Sequence, residues 1–414
     1  MLPKQGKDSK LASSYRPISL LSTLGKLFER VMATRMQRHF DDSDFFNKWQ
    51  RAYLKNKEAN EHVYRLSESI KLARQKGWCA TVVSLDVEKA FDSVWHDGLR
   101  RKLSDIGLPH KLIRLLSSFL TDRTIRVRVA HTLSQPLRLQ AGTPQGSVLS
   151  PLLYLIYVND VPVQPRNGCD AGQFADDLSL WTTASSKQMT FVRLRRALNA
   201  LEEWCNTWRI QLNVAKTQLV CFSRSRWKGV LKLYGSPLVE QQEMTLLGVT
   251  FGMGGSFSTH CREKAKKATR RLNLMRSLSG QGWGASNRLL VNFYKQYVRP
   301  VLESGSVCTA VAGTSYVEML QRVQNSALRN AFRAGRRTRI TALHSLARID
   351  PIAVRLKGLR ANAVARFGQS ELIRELELQK LLLLKRVAAS EAVLHQNPQI
   401  ACSTQGPISG QSTV

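Results

Sequence analysis

Three aspartates stand where short apolar runs end. Asp86 closes the β-branched run Thr81-Val82-Val83-Ser84-Leu85, and Asp176-Asp177 sit inside Gln173-Phe174-Ala175-Asp176-Asp177-Leu178-Ser179-Leu180. Adjacent acids at a tight turn repel one another and are costly to keep ionised without a cation between them. Hard divalent ions such as magnesium take oxygen ligands, so carboxylates from neighbouring strands form a natural site. Two such ions can align an attacking hydroxyl and a leaving pyrophosphate for in-line displacement. An Asp-Asp pair alone is common on surface turns; Asp86 and one further segment strengthen the reading. That segment is Gln140 to Leu153, where Gly142 and Gly146 permit close backbone approach and Ser150-Pro151 favours a helix start.

The elements that must position these acids follow from the pattern around them. The run Thr81 to Leu85 reads as a buried strand, and Gln173 to Trp181 as two short strands meeting at a turn. Phe191, Leu194, Leu198, Leu201, Cys205 and Trp208 recur at steps of three and four, which is one helix face and core packing. Strands and helices alternate, so an α+β architecture is expected. The chain has 414 residues, 43% of them hydrophobic, enough for a sizeable core in two or three subdomains.

It carries 62 Lys and Arg against 30 Asp and Glu, a formal net charge of +32. So large a self-repulsion points to a polyanionic partner, nucleic acid first. The longest largely apolar run, Val148 to Val158, is too short to span a bilayer, so no membrane partner is expected. The polar start, Met1 to Asp8, has no signal-peptide core. Seven scattered cysteines without a CxxC pair read as reduced intracellular thiols. The basic residues concentrate from Ser258 to Arg386. Arg262 to Arg271 reads as a helix with cationic faces, and Arg333 to Arg339 as a loop. A boundary is expected near Gly254-Gly255-Ser256, and disorder from about Asn397.

The order of segments resembles the reverse transcriptases of retrotransposons that lack long terminal repeats, particularly the jockey-like group, over roughly Lys4 to Phe367. The resemblance rests on Ser14-Tyr15-Arg16-Pro17-Ile18-Ser19-Leu20-Leu21 with Gly25-Lys26-Leu27-Phe28-Glu29, then on Leu85-Asp86-Val87-Glu88-Lys89-Ala90-Phe91-Asp92-Ser93-Val94. It continues through Gly142-Thr143-Pro144-Gln145-Gly146-Ser147, Phe174-Ala175-Asp176-Asp177, Leu212-Asn213-Val214-Ala215-Lys216-Thr217 and Leu246-Leu247-Gly248-Val249. Arg322 to Arg329 looks like the jockey-type tail, which weighs against an intron maturase or a telomerase-like enzyme.

The resemblance implies a right-hand polymerase fold: fingers over 1–78, a palm over 79–225 with an inserted fingers segment at about 98–140, a primer-grip hairpin and connection over 226–256, a helical basic thumb over 257–395, and a tail over 396–414. It implies RNA-directed DNA synthesis with an RNA template, a DNA primer and deoxynucleoside triphosphates, inside the cell as a ribonucleoprotein of nucleus and cytoplasm. Asp86, Asp176 and Asp177 become the catalytic acids, and with the Val87 carbonyl they hold two magnesium ions, or manganese in their place. Phe91 becomes the ring that crowds a ribose 2′-hydroxyl, Gln145 and Gly146 touch the nucleotide or template, and Lys216 and Lys57 approach the triphosphate. Arg16, Leu247, Gly248, Lys264, Lys266, Lys267, Arg270 and Arg271 become primer and template contacts. Ala52-Tyr53-Leu54-Lys55-Asn56-Lys57 departs from the Gly-Phe-Arg-Pro-Gly-Arg-like fingers segment of many relatives, and Lys57 offers a point charge where Arg gives a fork. No apurinic-type endonuclease precedes the region and no full ribonuclease H domain fits, so a fragment of an element is expected. The rival reading is a nucleic-acid-binding remnant without turnover.

Overall fold

The computed structural model describes residues 2–3, 8, 10–11, 14–41, 45–129, 131–162, 168–223, 225, 227–280 and 283–396, with side chains from 8 to 383. The expected disordered tail falls outside the described residues, except for Gln396 at the end of the last helix.

A five-stranded sheet forms the centre. Its strands are β1 (Cys79–Asp86), β2 (Cys169–Phe174), β3 (Asp177–Ala184), β4 (Gln218–Phe222) and β5 (Glu240–Gln241), in the spatial order β5-β4-β1-β3-β2. β1 and β3 pair antiparallel over eight residues, from Cys79 opposite Ala184 to Asp86 opposite Asp177. The β-branched run lies in the middle of β1, and Thr81, Val82 and Val83 are buried. That burial suits residues that pack on a pleated surface with neighbours on both sides. β2 and β3 form the hairpin expected from the sequence, with Phe174 opposite Asp177 and Ala175-Asp176 as the loop.

Helix α6 (Lys187–Thr207) lies on this sheet. Ser186 caps its start by accepting a hydrogen bond from the Met189 N–H, and the expected stripe of Phe191, Leu194, Leu198, Leu201 and Cys205 is buried. Trp208 falls one residue past the helix end. The helices α1 (Thr23–Asp41) and α2 (Ala59–Gln75) precede the sheet in the chain. Between β1 and β2 come α3 (His96–Asp105), α4 (His110–Leu120) and α5 (Ser150–Tyr157). Two-residue ladders join Thr124–Ile125 to Leu137–Arg138 and Arg128–Val129 to Thr132–Leu133, and this stretch is largely exposed.

After the sheet, the small hairpin of β6 (Met244–Leu246) and β7 (Val249–Phe251) leads into the basic helices. α7 (Ser258–Arg276) packs against a helical run that begins as α8 (Asn287–Phe293), passes through a π-helical turn, Tyr294–Val298, and continues as α9 (Arg299–Glu303). The short α10 (Ser306–Thr309), then α11 (Thr314–Ala331), α12 (Ile340–Ala347) and α13 (Ile352–Phe367) follow. Ala268, Leu272, Tyr294, Leu302, Leu320 and Leu328 are members of their shared apolar core. Gly254-Gly255-Ser256, the expected boundary, makes a tight turn inside one compact unit that runs from Met1 to Ala363; a second unit runs from Val364 to Val414 and contains α14 (Glu371–Gln396). The six described cysteines are free and buried, and Cys402 lies outside the described residues.

Candidate active site

Opposite residues of an antiparallel pair project to the same face about 5 Å apart. The register therefore brings Asp86 and Asp177 together at the rim of the sheet, with Asp176 beside them in the hairpin loop. Of the two loop residues only Ala175 has a positive φ, 55°, as at the first central position of a type II′ turn, where glycine is the usual occupant. Burial raises the Asp177 carboxyl to about 6, and the charges of Asp176 and Asp86 add to the effect. Asp176 is also pushed up, by burial first; Asp86 repels it further, while Arg16 and Lys216 pull the other way.

Lys216 carries the clearest contact to the trio. Its Nζ lies 2.7 Å from Asp86 Oδ2. A short 3-10 turn, Val214–Lys216, aims it there, with the Asn213 side chain accepting from the Lys216 N–H. The Asp86 carbonyl accepts from the Asn213 N–H at 2.8 Å, and a bridge pairs Val87 with Leu212, so the segment that carries Lys216 is laced to the end of β1. Among the described residues no group of three or more His, Cys, Asp or Glu side chains is drawn together into a closed metal site. The donor chemistry nevertheless fits a hard cation: carboxylate oxygens at one sheet rim, two of them raised by burial first and by their neighbours' charges second, both of which a cation would offset.

The loop before α5 folds against the end of β1. The Phe91 and Val94 carbonyls accept from the Thr143 and Gly142 N–H groups, at 2.7 and 2.8 Å. A Cβ on Gly142 would lie 2.8 Å from the Asp92 carbonyl oxygen, and one on Gly146 would lie 3.1 Å from that of Ser19; both have φ far into the positive region. Phe91 is half-buried, its ring centroid 4.9 Å from that of Tyr154 on α5. Gln145 donates its Nε2 to both carboxylate oxygens of Asp92 at 3.1 Å. Glu29 from α1 is 5% exposed and accepts from Ser147 Oγ, 2.6 Å, and the Val148 N–H, 2.7 Å. The Glu of the Gly25-Lys26-Leu27-Phe28-Glu29 segment thus stabilises the start of α5 by meeting N–H groups that no helix turn satisfies.

The remaining sequence-derived positions separate into groups. Arg16 is exposed and close enough to act on Asp176. Lys57 is exposed in the turn before α2. Leu247 and Gly248 are the two central residues of the β6–β7 hairpin, with φ of 47° and 77°, the pattern of a type I′ turn with Leu at an unfavourable place. On α7, Lys266, Lys267 and Arg270 are exposed. Lys264 and Arg271 are not the free surface cations the charge run suggests. Lys264 donates to the Ser304 carbonyl at 3.1 Å, and burial, with Lys267 nearby, lowers its ammonium to about 8. Arg271 donates to the Tyr297 carbonyl at 2.6 Å and stacks on that ring, 4.5 Å from its centroid. Residues seven apart share a helix face, and this face is turned to the run through α9.

Sequence reasoning gave no role to Trp49, Gln50 and Arg51, just before the fingers segment that starts at Ala52. Gln50 bridges Gln173 in parallel, so this stretch extends the sheet beyond β2. Gln50 Oε1 accepts from the Arg51, Ala52 and Ala175 N–H groups, and Tyr53 feels the charge of Asp176. A cleft of about 1320 Å3 lined by Arg74, Trp78, Cys79, Phe257 and Tyr316 opens at the opposite end of β1 from the aspartates.

A rim of three aspartates on antiparallel strands of a central sheet, with a helical segment before it in the chain and a basic helical segment after it, defines a right-hand polymerase. The chain belongs to the family described as reverse transcriptase (RNA-dependent DNA polymerase), whose profile matches residues 2–251. It is 31% identical over 354 residues to the "Probable RNA-directed DNA polymerase from transposon BS" of Drosophila melanogaster, covering 83% of this chain and 39% of that protein. It is 30% identical over 336 residues to the RNA-directed DNA polymerase from mobile element jockey of the same organism, covering 80% and 37%. The chain thus spans about two fifths of the length of these relatives. A structure of apo telomerase from Candida tropicalis aligns at 13% identity and a TM-score of 0.43, over 85% of this chain and 61% of that one, too loosely to bear on the site. Reverse transcriptases generally use divalent metals, and the family implies an RNA template and a primer. No described helix is long and apolar enough to cross a membrane.

Proposed function

We propose that this chain catalyses RNA-directed DNA synthesis for a retrotransposon. In this reaction a primer 3′-hydroxyl attacks the α-phosphate of a deoxynucleoside triphosphate and pyrophosphate leaves. The observation that carries the reading is the placement of Asp86 opposite Asp177 with Asp176 in the adjoining loop, an acid cluster that repels itself at the sheet rim. Two magnesium ions, or manganese in their place, would be held by Asp86, Asp176, Asp177 and the Val87 carbonyl; bound there, they supply the positive charge that lines up hydroxyl and leaving group. The protein's own share is positioning and charge. Lys216, already at the rim, neutralises the triphosphate. Phe91, braced by Tyr154, presents a ring edge to the sugar and disfavours a 2′-hydroxyl. Gln145, held by Asp92, lines the nucleotide side. Arg16 and the exposed face of α7 track the backbone of the template–primer duplex. The place of action is an intracellular ribonucleoprotein of nucleus and cytoplasm.

The test is extension of a DNA primer on an RNA template by purified protein with magnesium. Asp86→Asn keeps size and removes charge, so extension falls by about two orders of magnitude or more while the melting temperature stays within a few degrees. An Asp86→Asn protein that extends at near the parental rate refutes the assignment.

A further inference from the structure

Within the polymerase reading, we infer that Gln50 is a positioning residue that holds the Ala175-Asp176 loop in its strained conformation and so fixes where the catalytic carboxylates point. Gln50 is 2% exposed and lies 125 positions from Ala175 in the chain. Its Oε1 accepts from the Ala175 N–H at 3.0 Å, the Ala52 N–H at 2.9 Å and the Arg51 N–H at 3.0 Å. One amide oxygen thus joins the fingers segment to the loop that carries Asp176. The backbone around it is fastened on both sides: the Gln173 N–H donates to the Trp49 carbonyl at 3.1 Å and the Arg51 N–H to the Gln173 carbonyl at 2.9 Å. Gln50 itself therefore has little freedom to move away.

Ala175 is where such a clamp is needed. Its φ of 55° places a Cβ in the left-handed region, which disfavours an alanine relative to glycine. Strain of this kind persists only when the surroundings over-determine the conformation. Ala175 is 5% exposed, so water cannot replace the bond to its N–H. Were the bond lost, the loop would relax toward negative φ, and Asp176, the next residue, would swing with it.

Two measurements test the clamp. The first is amide hydrogen exchange across residues 173–178, which needs no polymerase activity. Gln50→Met, close in size but without an acceptor, speeds exchange there at least about tenfold. Gln50→Glu, which keeps an acceptor oxygen, preserves protection and stands in if the Met variant does not fold. Protection unchanged in Gln50→Met, or lost equally in Gln50→Glu, overturns the inference.

The second is a double-mutant cycle on kcat. Gln50→Met lowers kcat about ten- to a hundredfold with the nucleotide KM changed less than about threefold, as expected when reacting groups are misaligned. In the Ala175→Gly background the loop keeps its shape unaided, and the same Gln50→Met change lowers kcat less than about fivefold. Equal losses in both backgrounds mean that Gln50 merely tethers the fingers segment, and the inference fails. A parent protein that never extends a primer, yet loses protection in Gln50→Met, overturns the polymerase reading and leaves the clamp standing.

Discussion

The outer face of α7 makes a quantitative prediction about nucleic-acid binding. Lys266 and Arg270 are four residues apart, and Lys267 and Arg270 three apart, so the three exposed cations lie on one side of the helix. Lys264 and Arg271 are spent on the Ser304 and Tyr297 carbonyls. The perturbation is the triple change Lys266→Gln, Lys267→Gln, Arg270→Gln. Each neutralised phosphate contributes about 0.9 to the log–log salt slope, so losing three contacts flattens that slope by up to about 2.7. Across a fourfold rise in salt, the parental protein then loses about fortyfold more affinity than the variant. Fluorescence anisotropy of a labelled RNA–DNA duplex between 50 and 200 mM potassium chloride, values chosen to give that fourfold range, reads the difference directly. The melting temperature hardly changes, because the three side chains are exposed. By contrast Lys264→Gln with Arg271→Gln destabilises the helical core and leaves the slope nearly intact. The reasoning is wrong if the triple variant keeps the parental slope, or if the paired variant flattens it as much.

Three further outcomes follow from particular contacts. Leu247→Gly removes a Cβ from a residue with φ of 47° and raises stability by up to about 1 kcal/mol in urea unfolding, while weakening primer–template affinity if the side chain grips the primer; no gain in stability means the turn is relaxed. Glu29→Ala strands the Ser147 hydroxyl and the Val148 N–H at the start of α5 and costs about 2 to 3 kcal/mol, measured the same way, with a smaller loss for Glu29→Gln. His62 is held neutral, its imidazole lowered to about 3 by burial with Arg65 and Arg51 nearby. The unfolded chain takes up a proton near pH 6.5 that the folded chain refuses, so stability is full above that value and drains away as pH falls toward 3; in His62→Asn the drop in melting temperature between pH 6.5 and 4 is smaller, and an equal drop excludes His62 as a cause.

What could be read from the sequence is what depends on neighbours along the chain. The β-branched run at Thr81, the acids bracketed by apolar residues at Phe174 to Leu180, and the three-four spacing from Phe191 each declare a local conformation, and β1, the β2–β3 hairpin and α6 appear at those places. Contacts made across long separations left no such mark. Gln50 and Ala175, or Glu29 and Ser147, are joined by hydrogen bonds between residues more than a hundred positions apart, and a lone Gln or Glu looks the same whether it is solvated or buried. The charge run on α7 misled for a related reason. Composition reveals how many cations a helix carries, but it does not reveal which of them a carbonyl from another helix will claim.

The eight-residue register between β1 and β3 also sets which changes of length the chain can absorb. Side chains alternate along a strand, so inserting or deleting one residue between Cys79 and Asp86 sends every later side chain through to the other face. Asp86 would turn away from Asp177, and the side chains packed on the two buried faces of the strand would exchange places. A frame-preserving gain or loss of a single codon there is therefore as damaging as replacing the aspartate itself. Among the described residues of the ladders over 124–138 none is fully buried, so the phase weighs much less there. Length variation among functional copies should gather in that stretch, and be missing from the strand that ends in Asp86.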